Sequence, residues 1–152
     1  MSEKRILALA CDHAGYELKQ VLKEELLKSG YIVEDFGCFS TESVDYPDFI
    51  HPLSQAVHNG VFPAGIILCG SGIGVSMVAN KYANVRAALC CDAERARMAR
   101  KHNDANVLAM GARYTSRESA LEMMMAFLNT EFEGGRHLKR VNKIPPANSI
   151  QD

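Results

Sequence analysis

The sequence predicts a single α/β domain, doubly wound around a parallel sheet of five strands. Three observations point there. Strand-like and helix-like segments alternate five times along 152 residues. The strand segments are continuous apolar runs rather than alternating ones, the pattern of strands buried on both faces. No internal repeat or Ser/Pro-rich linker divides residues 1–152, a length that suits one domain with its own core.

The first strand is Ile6–Cys11, six small or apolar residues ending at Asp12-His13. A helix is predicted over 16–29, with Leu18, Val21, Leu22 and Leu26 at helical spacing and Gly30 as its stop. Residues 31–36 read as the second strand, closed by Gly37, and 49–59 as a helix closed by Gly60. The third strand is 64–68, and a helix over 74–82 opens from a glycine turn. The fourth strand, 85–90, leads to a charged amphipathic helix over 93–101, and 107–110 is the fifth strand. The next helix carries Thr115-x-x-Glu118, a capping box, ahead of Leu121, Met124, Met125 and Leu128 on one face. From Gly134 the chain changes character: "GGRHLKRVNKIPPANSIQD" holds a basic segment, then Pro145-Pro146 and a polar end expected to be extended.

Composition narrows the function. A formal net charge of -1, from 17 basic and 18 acidic residues without a basic block, argues against nucleic acid or an anionic membrane as partner. No apolar run approaches the ~20 residues that span a bilayer. The first apolar run is also shorter than the roughly 7–15 residues of a signal-peptide core. Five scattered cysteines without a CxxC pair argue against a disulfide framework or a cysteine zinc site. A reducing, cytoplasmic location is expected.

In doubly wound sheets, ligands bind outside the carboxyl ends of the strands. Asp12-His13 follows the first strand, Cys69 ends the third, and Arg113 follows the fifth. The "CGSGIG" turn is the centre of the problem. Gly70, Gly72 and Gly74 make GxGxG after the third strand, not GxGxxG after the first, and the lysine of a P-loop is missing. What remains is a strand-to-helix turn with unobstructed amides, an anion hole aided by the helix dipole. Donors beside Cys69 favour a thiolate. Such a group can take a proton from carbon while amides hold the developing enediolate oxygen. A plain buried cysteine is the competing reading, and the polar neighbours decide against it here.

Cys11, Cys90 and Cys91 lack such a turn and read as core, and Cys38 as a loop residue. Asp12-His13 alone would pass for a helix cap. His102 closes a helix, where a cationic ring complements the dipole. His51 and His58 read as solvated, and His137 is left open. The methionines 123–125 read as core or partner-facing. Arg136 and Arg140, four apart, share a helical face, either as a phosphate receptor or as a solvated basic tail.

Together the segments "CDHAGYELK", "YIVEDFG", "ESVDYPDF", "CGSGIGVSMVANK", "VRAALC", "ARKHNDANVLAMGAR" and "FEGGRHLKRV" cover most of residues 11–141. On them the chain resembles the sugar-phosphate isomerases, the group of B-type ribose-5-phosphate isomerases and galactose-6-phosphate isomerase. The resemblance implies a Rossmann-like three-layer α/β/α sandwich, a homodimer or dimer of dimers, and no metal or organic cofactor. The implied substrate is a small sugar phosphate, D-ribose 5-phosphate, converted to D-ribulose 5-phosphate through a cis-enediol.

By the same resemblance, Cys69 is the base moving the proton between C2 and C1. The amides of Gly70, Ser71, Gly72, Ile73 and Gly74, with the Ser71 hydroxyl, hold the enediolate. His102 is the acid that opens the sugar ring, Asn103 and Asp12 bond sugar oxygens, and Tyr46 lines the pocket. His13, Arg113, Arg136 and Arg140 hold the phosphate, which suits forked guanidinium donors.

Some relatives replace the cysteine by a glutamate in the turn; here that position is Val75 and Cys69 is present. Galactose-6-phosphate isomerase subunits typically lack the intact "HND" and "GGRH" segments, which favours the pentose. Ser71 stands where many members have threonine. The alternatives are a six-carbon substrate, allose or galactose 6-phosphate, and a non-catalytic binding module. His102 ends a helix antiparallel to the strands, so it is expected at the opposite edge from Cys69. It would then serve a neighbouring subunit's site, with the tail from about residue 134 touching that partner.

Overall fold

The computed structural model describes residues 5–148. The last part of the predicted polar end, 149–152, lies outside them. Five parallel strands, β1 (Ile6–Cys11), β2 (Ile32–Asp35), β3 (Gly65–Cys69), β4 (Ala87–Leu89) and β5 (Val107–Gly111), form one sheet in the order β2-β1-β3-β5-β4. The helices are α1 (Tyr16–Lys28), α2 (Tyr46–His58), α3 (Ile73–Ala79), α4 (Ala93–Asn103), α5 (Arg117–Leu128) and α6 (Arg136–Val141).

Successive strand residues point to opposite faces, and the helices divide accordingly. Leu7, Leu9, Ile66, Leu68, Leu108 and Met110 pack with Leu22 and Leu26 of α1, Ala96 and Ala99 of α4, and Met123, Met124 and Phe127 of α5. Ala8, Ala10, Ile67, Cys69, Val107 and Ala109 pack with Ile50, Leu53 and Val57 of α2 and Val75 and Ala79 of α3. The three-layer sandwich follows. The chain runs from β1 outward to β2, then back across to β3, so the crevice between β1 and β3 is a topological switch point.

Several boundaries differ from those predicted. The fourth strand shrinks to three residues because side-chain amides take over the backbone before it: Asn106 Oδ1 accepts from Arg86 N at 2.8 Å and Asn80 Oδ1 from Ala87 N at 2.8 Å. The second helix starts earlier, at Tyr46, with Pro47 in its first turn. The third is short, beginning at Ile73 behind Gly72. The cap of α5 is Ser116, whose hydroxyl accepts from Ser119 N at 3.1 Å, while Thr115 instead donates to Gly111 O at 2.7 Å. The capping box was misplaced by one residue, and the face it introduces shifts to Ala120, Met123, Met124 and Phe127. Cys91 is exposed, not core, because it follows the end of the edge strand. Cys38 is a loop residue, as expected, but buried. The basic segment forms α6, which packs on α4 and buries His137 and Val141. Among the described residues no helix is long and apolar enough to cross a membrane.

Candidate active site

Asp12, Tyr46, Cys69, Gly70, Ser71, Ile73, Gly74 and Arg113 line one open cavity of about 460 Å³ at the carboxyl edge of the sheet. Backbone geometry puts them there. Asp12 N donates to Leu68 O at 3.1 Å, pinning the end of β1 beside the end of β3. The Asp12 carboxylate then accepts from Ala14 N at 3.0 Å and Gly15 N at 3.3 Å, capping a single helical turn. On the other side, Ala112 N donates to Cys69 O at 2.8 Å and Arg113 N to Gly70 O at 3.0 Å. Those two bonds carry Arg113 from β5 over the glycine turn.

The glycines leave room for functional side chains. A Cβ on Gly70 would sit 2.8 Å from Arg113 Nη1, and one on Gly74 would sit 2.5 Å from Tyr46 Cζ. Gly72 has φ +78 and faces Leu89 and the Met110–Gly111 peptide, so it needs both freedom and smallness. Gly111, which the sequence reading passed over, meets Ser71 O at 2.6 Å in the same test. Its signal was "MGAR", a glycine at the end of the fifth strand. Met77 and the 80 % exposed Tyr114 also line the cavity and were missed. Their apolar exposure becomes meaningful only once the fold places them.

Cys69 is 5 % exposed, and its Sγ accepts from Gly72 N at 3.2 Å. A second turn amide, Ile73 N, points at Ser71 Oγ at 3.2 Å. The turn therefore directs its Gly72 donor at the sulfur itself. Elsewhere burial dominates: it pushes the Cys11 thiol well up against the pull of Lys19, and with Cys91 and Asp92 nearby it pushes Cys90 up to about 11. Those thiols stay protonated and inert.

His13 Nδ1 accepts from Val44 N at 3.1 Å. The proton of the neutral ring is thereby assigned to Nε2, a donor suited to an anion. Val44 lies near the end of the loop that runs from β2 to Tyr46, and Lys19 anchors the start of that loop. That lysine is fully buried and donates to Asp35 Oδ1 at 2.5 Å and Cys38 O at 2.7 Å.

His13 and Gly72 stand next to lining residues without lining this cavity themselves, and four other predicted site residues lie away from it. His102 and Asn103 end α4, which feeds the start of β5 at the amino edge of the sheet. Arg136 and Arg140 lie on α6 beside it. His102 stacks on His137 with ring centroids 4.4 Å apart, and both Nε2 atoms approach Glu133 Oε1, at 3.6 and 3.8 Å. Burial, the neighbouring His102 and the arginines 136 and 140 hold the His137 pKa below the ordinary histidine value, against the pull of Glu133. Among the described residues this trio is the cluster with metal-ligand spacing, its three donor atoms all within 4.8 Å. Asn103 lines a separate cavity of about 580 Å³ with Asn80, Arg86 and Pro145.

Known proteins match this arrangement over most of its length. The sequence profile of the Ribose/Galactose Isomerase family matches residues 7–144. Ribose-5-phosphate isomerase B of Escherichia coli (strain K12) is 41% identical over 138 residues, 91% of this chain and 93% of the relative. D-erythrulose-4-phosphate isomerase of Pectobacterium atrosepticum is 42% identical over 139 residues, 91% of each chain. The solved ribose-5-phosphate isomerase B of Clostridium thermocellum superposes with a TM-score of 0.90 at 47% identity, covering 91% of this chain and 94% of that one.

Proposed function

The chain belongs to the Ribose/Galactose Isomerase family, and we propose that it interconverts D-ribose 5-phosphate and D-ribulose 5-phosphate, a step of the pentose phosphate pathway in a reducing cytoplasm. One observation carries this reading: the Cys69 sulfur is held by the Gly72 amide in a cavity shared with Asp12, Tyr46 and Arg113. The Cys69 thiolate takes the C2 proton of the open-chain aldose. The electron pair moves into a C1–C2 double bond, and charge collects on O1. The Ser71 hydroxyl and the turn amides other than those of Gly72 and Ile73 stabilise that oxygen. The proton returns to C1 while the O2 hydroxyl proton passes to O1, which leaves the C2 ketone with no net gain or loss. Asp12 and Tyr46 orient the sugar, and His13 and Arg113 hold its phosphate.

His102, Asn103, Arg136 and Arg140 sit at the other edge of the sheet, so they act in a second copy's site. His102 opens the ring there, and the two arginines complete that phosphate receptor. Active sites then lie between copies of a homodimer or a dimer of dimers. The 42% identity to an isomerase named for a four-carbon sugar phosphate favours a second reading, in which sugar length differs while the chemistry does not.

Proton NMR of D-ribose 5-phosphate in D2O tests the assignment, with wild type and Cys69→Ala compared. Wild type should form ribulose 5-phosphate with deuterium uptake, and the variant should do neither. An inert wild type would sink the ribose reading and send the search to four- and six-carbon phosphates. Ligand binding without exchange for any of them would leave a binding module.

A further inference from the structure

Glu133 belongs to the segment between α5 and α6, and no role in isomerisation has been given to it or to His137. Their placement is nevertheless fixed. Glu133 N donates to Lys101 O at 3.1 Å, tying this segment to the last turn of α4, and His137 N donates to Gly134 O at 3.0 Å. Those two bonds bring a carboxylate to the rim of two parallel rings, whose planes differ by 14°. Both rings turn the same nitrogen, Nε2, toward the same oxygen.

We propose that His102, Glu133 and His137 bind a divalent transition metal ion, Zn²⁺ foremost, and that its occupancy switches the isomerase off by capturing Nε2 of His102. Two imidazoles and a carboxylate form a donor set suited to zinc, with the fourth position left to water. Zinc bonds of roughly 2.0–2.2 Å at tetrahedral angles put ligand atoms about 3.3–3.5 Å apart. The 3.6 and 3.8 Å approaches to Glu133 are close to that span, and because the rings are stacked with planes 14° apart, binding also requires the His102 ring to turn until both Nε2 lone pairs converge on the ion. Glu133 and His102 are half-exposed, so they can make that adjustment and a metal ion can reach them. Arg136 and Arg140 flank the cluster and oppose a cation, which places the affinity below that of structural zinc sites. That suits a reversible inhibitor. The inhibitory half of the proposal rests on the reading of His102 as the ring-opening acid; the binding half does not.

The test starts from the full-length, metal-free protein titrated with Co²⁺ as a spectroscopic probe, and with Zn²⁺ by calorimetry. One saturable equivalent per chain is expected, with visible bands of tetrahedral cobalt and no thiolate-to-cobalt charge transfer. The last condition separates this site from Cys69 and the exposed Cys91. Glu133→Gln, at a half-exposed position, and His137→Gln should each weaken binding by more than about tenfold. No saturable binding, thiolate bands, or unchanged binding in the Glu133→Gln protein would overturn the site. Zn²⁺ should also slow isomerisation of D-ribose 5-phosphate by wild type, a chelator should restore it, and Glu133→Gln should resist. Saturation of the site with no change in rate would overturn the switch, as would persistent inhibition in both variants. A protein that never isomerises the sugar would instead sink the functional reading, and the cobalt titration would still judge the site.

Discussion

The two edges of the sheet are built differently. At the carboxyl edge, functional side chains are fixed by backbone hydrogen bonds and by glycines that admit them within van der Waals contact. At the amino edge, His102 and Glu133 are half-exposed, and the His102 and His137 rings approach one Glu133 oxygen. The first edge holds a buried cysteine, a glycine turn and Arg113; the second holds an imidazole pair and two arginines. By the roles proposed above, neither carries a full set for opening, deprotonating and holding a sugar phosphate. On the proposed mechanism, rigidity is concentrated where the proton would move, while the groups proposed to serve a second copy are left adaptable.

The largest expected effect separates the edges directly. Cys69→Ala should lower kcat by on the order of 10²–10⁴-fold, the span general-base catalysis supplies. His102→Ala should slow turnover of ring-closed sugar in the same direction. Mixing the two inactive proteins under conditions of subunit exchange should restore activity, because a hybrid dimer contains one site with both groups. Exchange without recovery would mean that the edges do not complete one another.

The second effect concerns what holds the carboxyl edge. Lys19 is fully buried, and its bonds to Asp35 and Cys38 anchor the start of the loop whose Val44 amide bonds His13 and which ends at Tyr46. Lys19→Met should cost about 3–5 kcal/mol, as expected when one partner of a buried pair is lost, read as a lower urea midpoint. Asp35 also links this anchor to pH. Burial alone would raise its pKa, but the bonds from Lys19, the Gly37 amide and Lys23 outweigh it and hold the carboxyl below its ordinary value. The folded state therefore binds this proton less tightly than the unfolded one. The stabilisation is complete above the ordinary carboxylate value, about 3.9, and is lost as pH falls through the folded value. The stability gap between wild type and Asp35→Asn should narrow below about pH 4. A gap that stays constant would assign the effect to packing.

Much of this contrast was legible in the sequence, for physical reasons. β1, β3 and β5 were readable because burial on both faces leaves unbroken apolar runs, whereas the edge strands β2 and β4 are not so buried. Cys69, Gly70, Gly72, Gly74 and Arg113 were readable because a doubly wound sheet presents its strand ends at one edge. The separation of His102 from Cys69 followed from helix direction alone. What escaped depends on distant partners. Nothing local showed that Asn80 and Asn106 would displace strand pairing before Ala87. Nor did anything local to Lys19 show that Asp35 and Cys38 would hold it buried. Ser116 and Thr115 are both competent caps, and only the Thr115 bond to Gly111 O decides between them.

The smallest effect sharpens the comparison most finely, because it applies one change to both edges. Gly72 and Gly134 both have positive φ, +78 and +68, so alanine is strained at either. That shared cost is roughly 1–2 kcal/mol. Around Gly134 no atom would lie within 4 Å of the added methyl, whereas at Gly72 it would meet Leu89 Cδ1 at 2.5 Å and Met110 C at 2.8 Å. Overpacking of that kind adds typically 1–3 kcal/mol, and the backbone of β5 cannot yield as a side-chain end can. It would also displace the amide that bonds Cys69 Sγ. Gly134→Ala should thus lose about 1–2 kcal/mol of stability and keep its C2 proton exchange. Gly72→Ala should lose visibly more and exchange more slowly even where it remains folded. Equal losses would mean that the carboxyl edge is no more rigid than the amino edge, and the contrast between them would have to be abandoned.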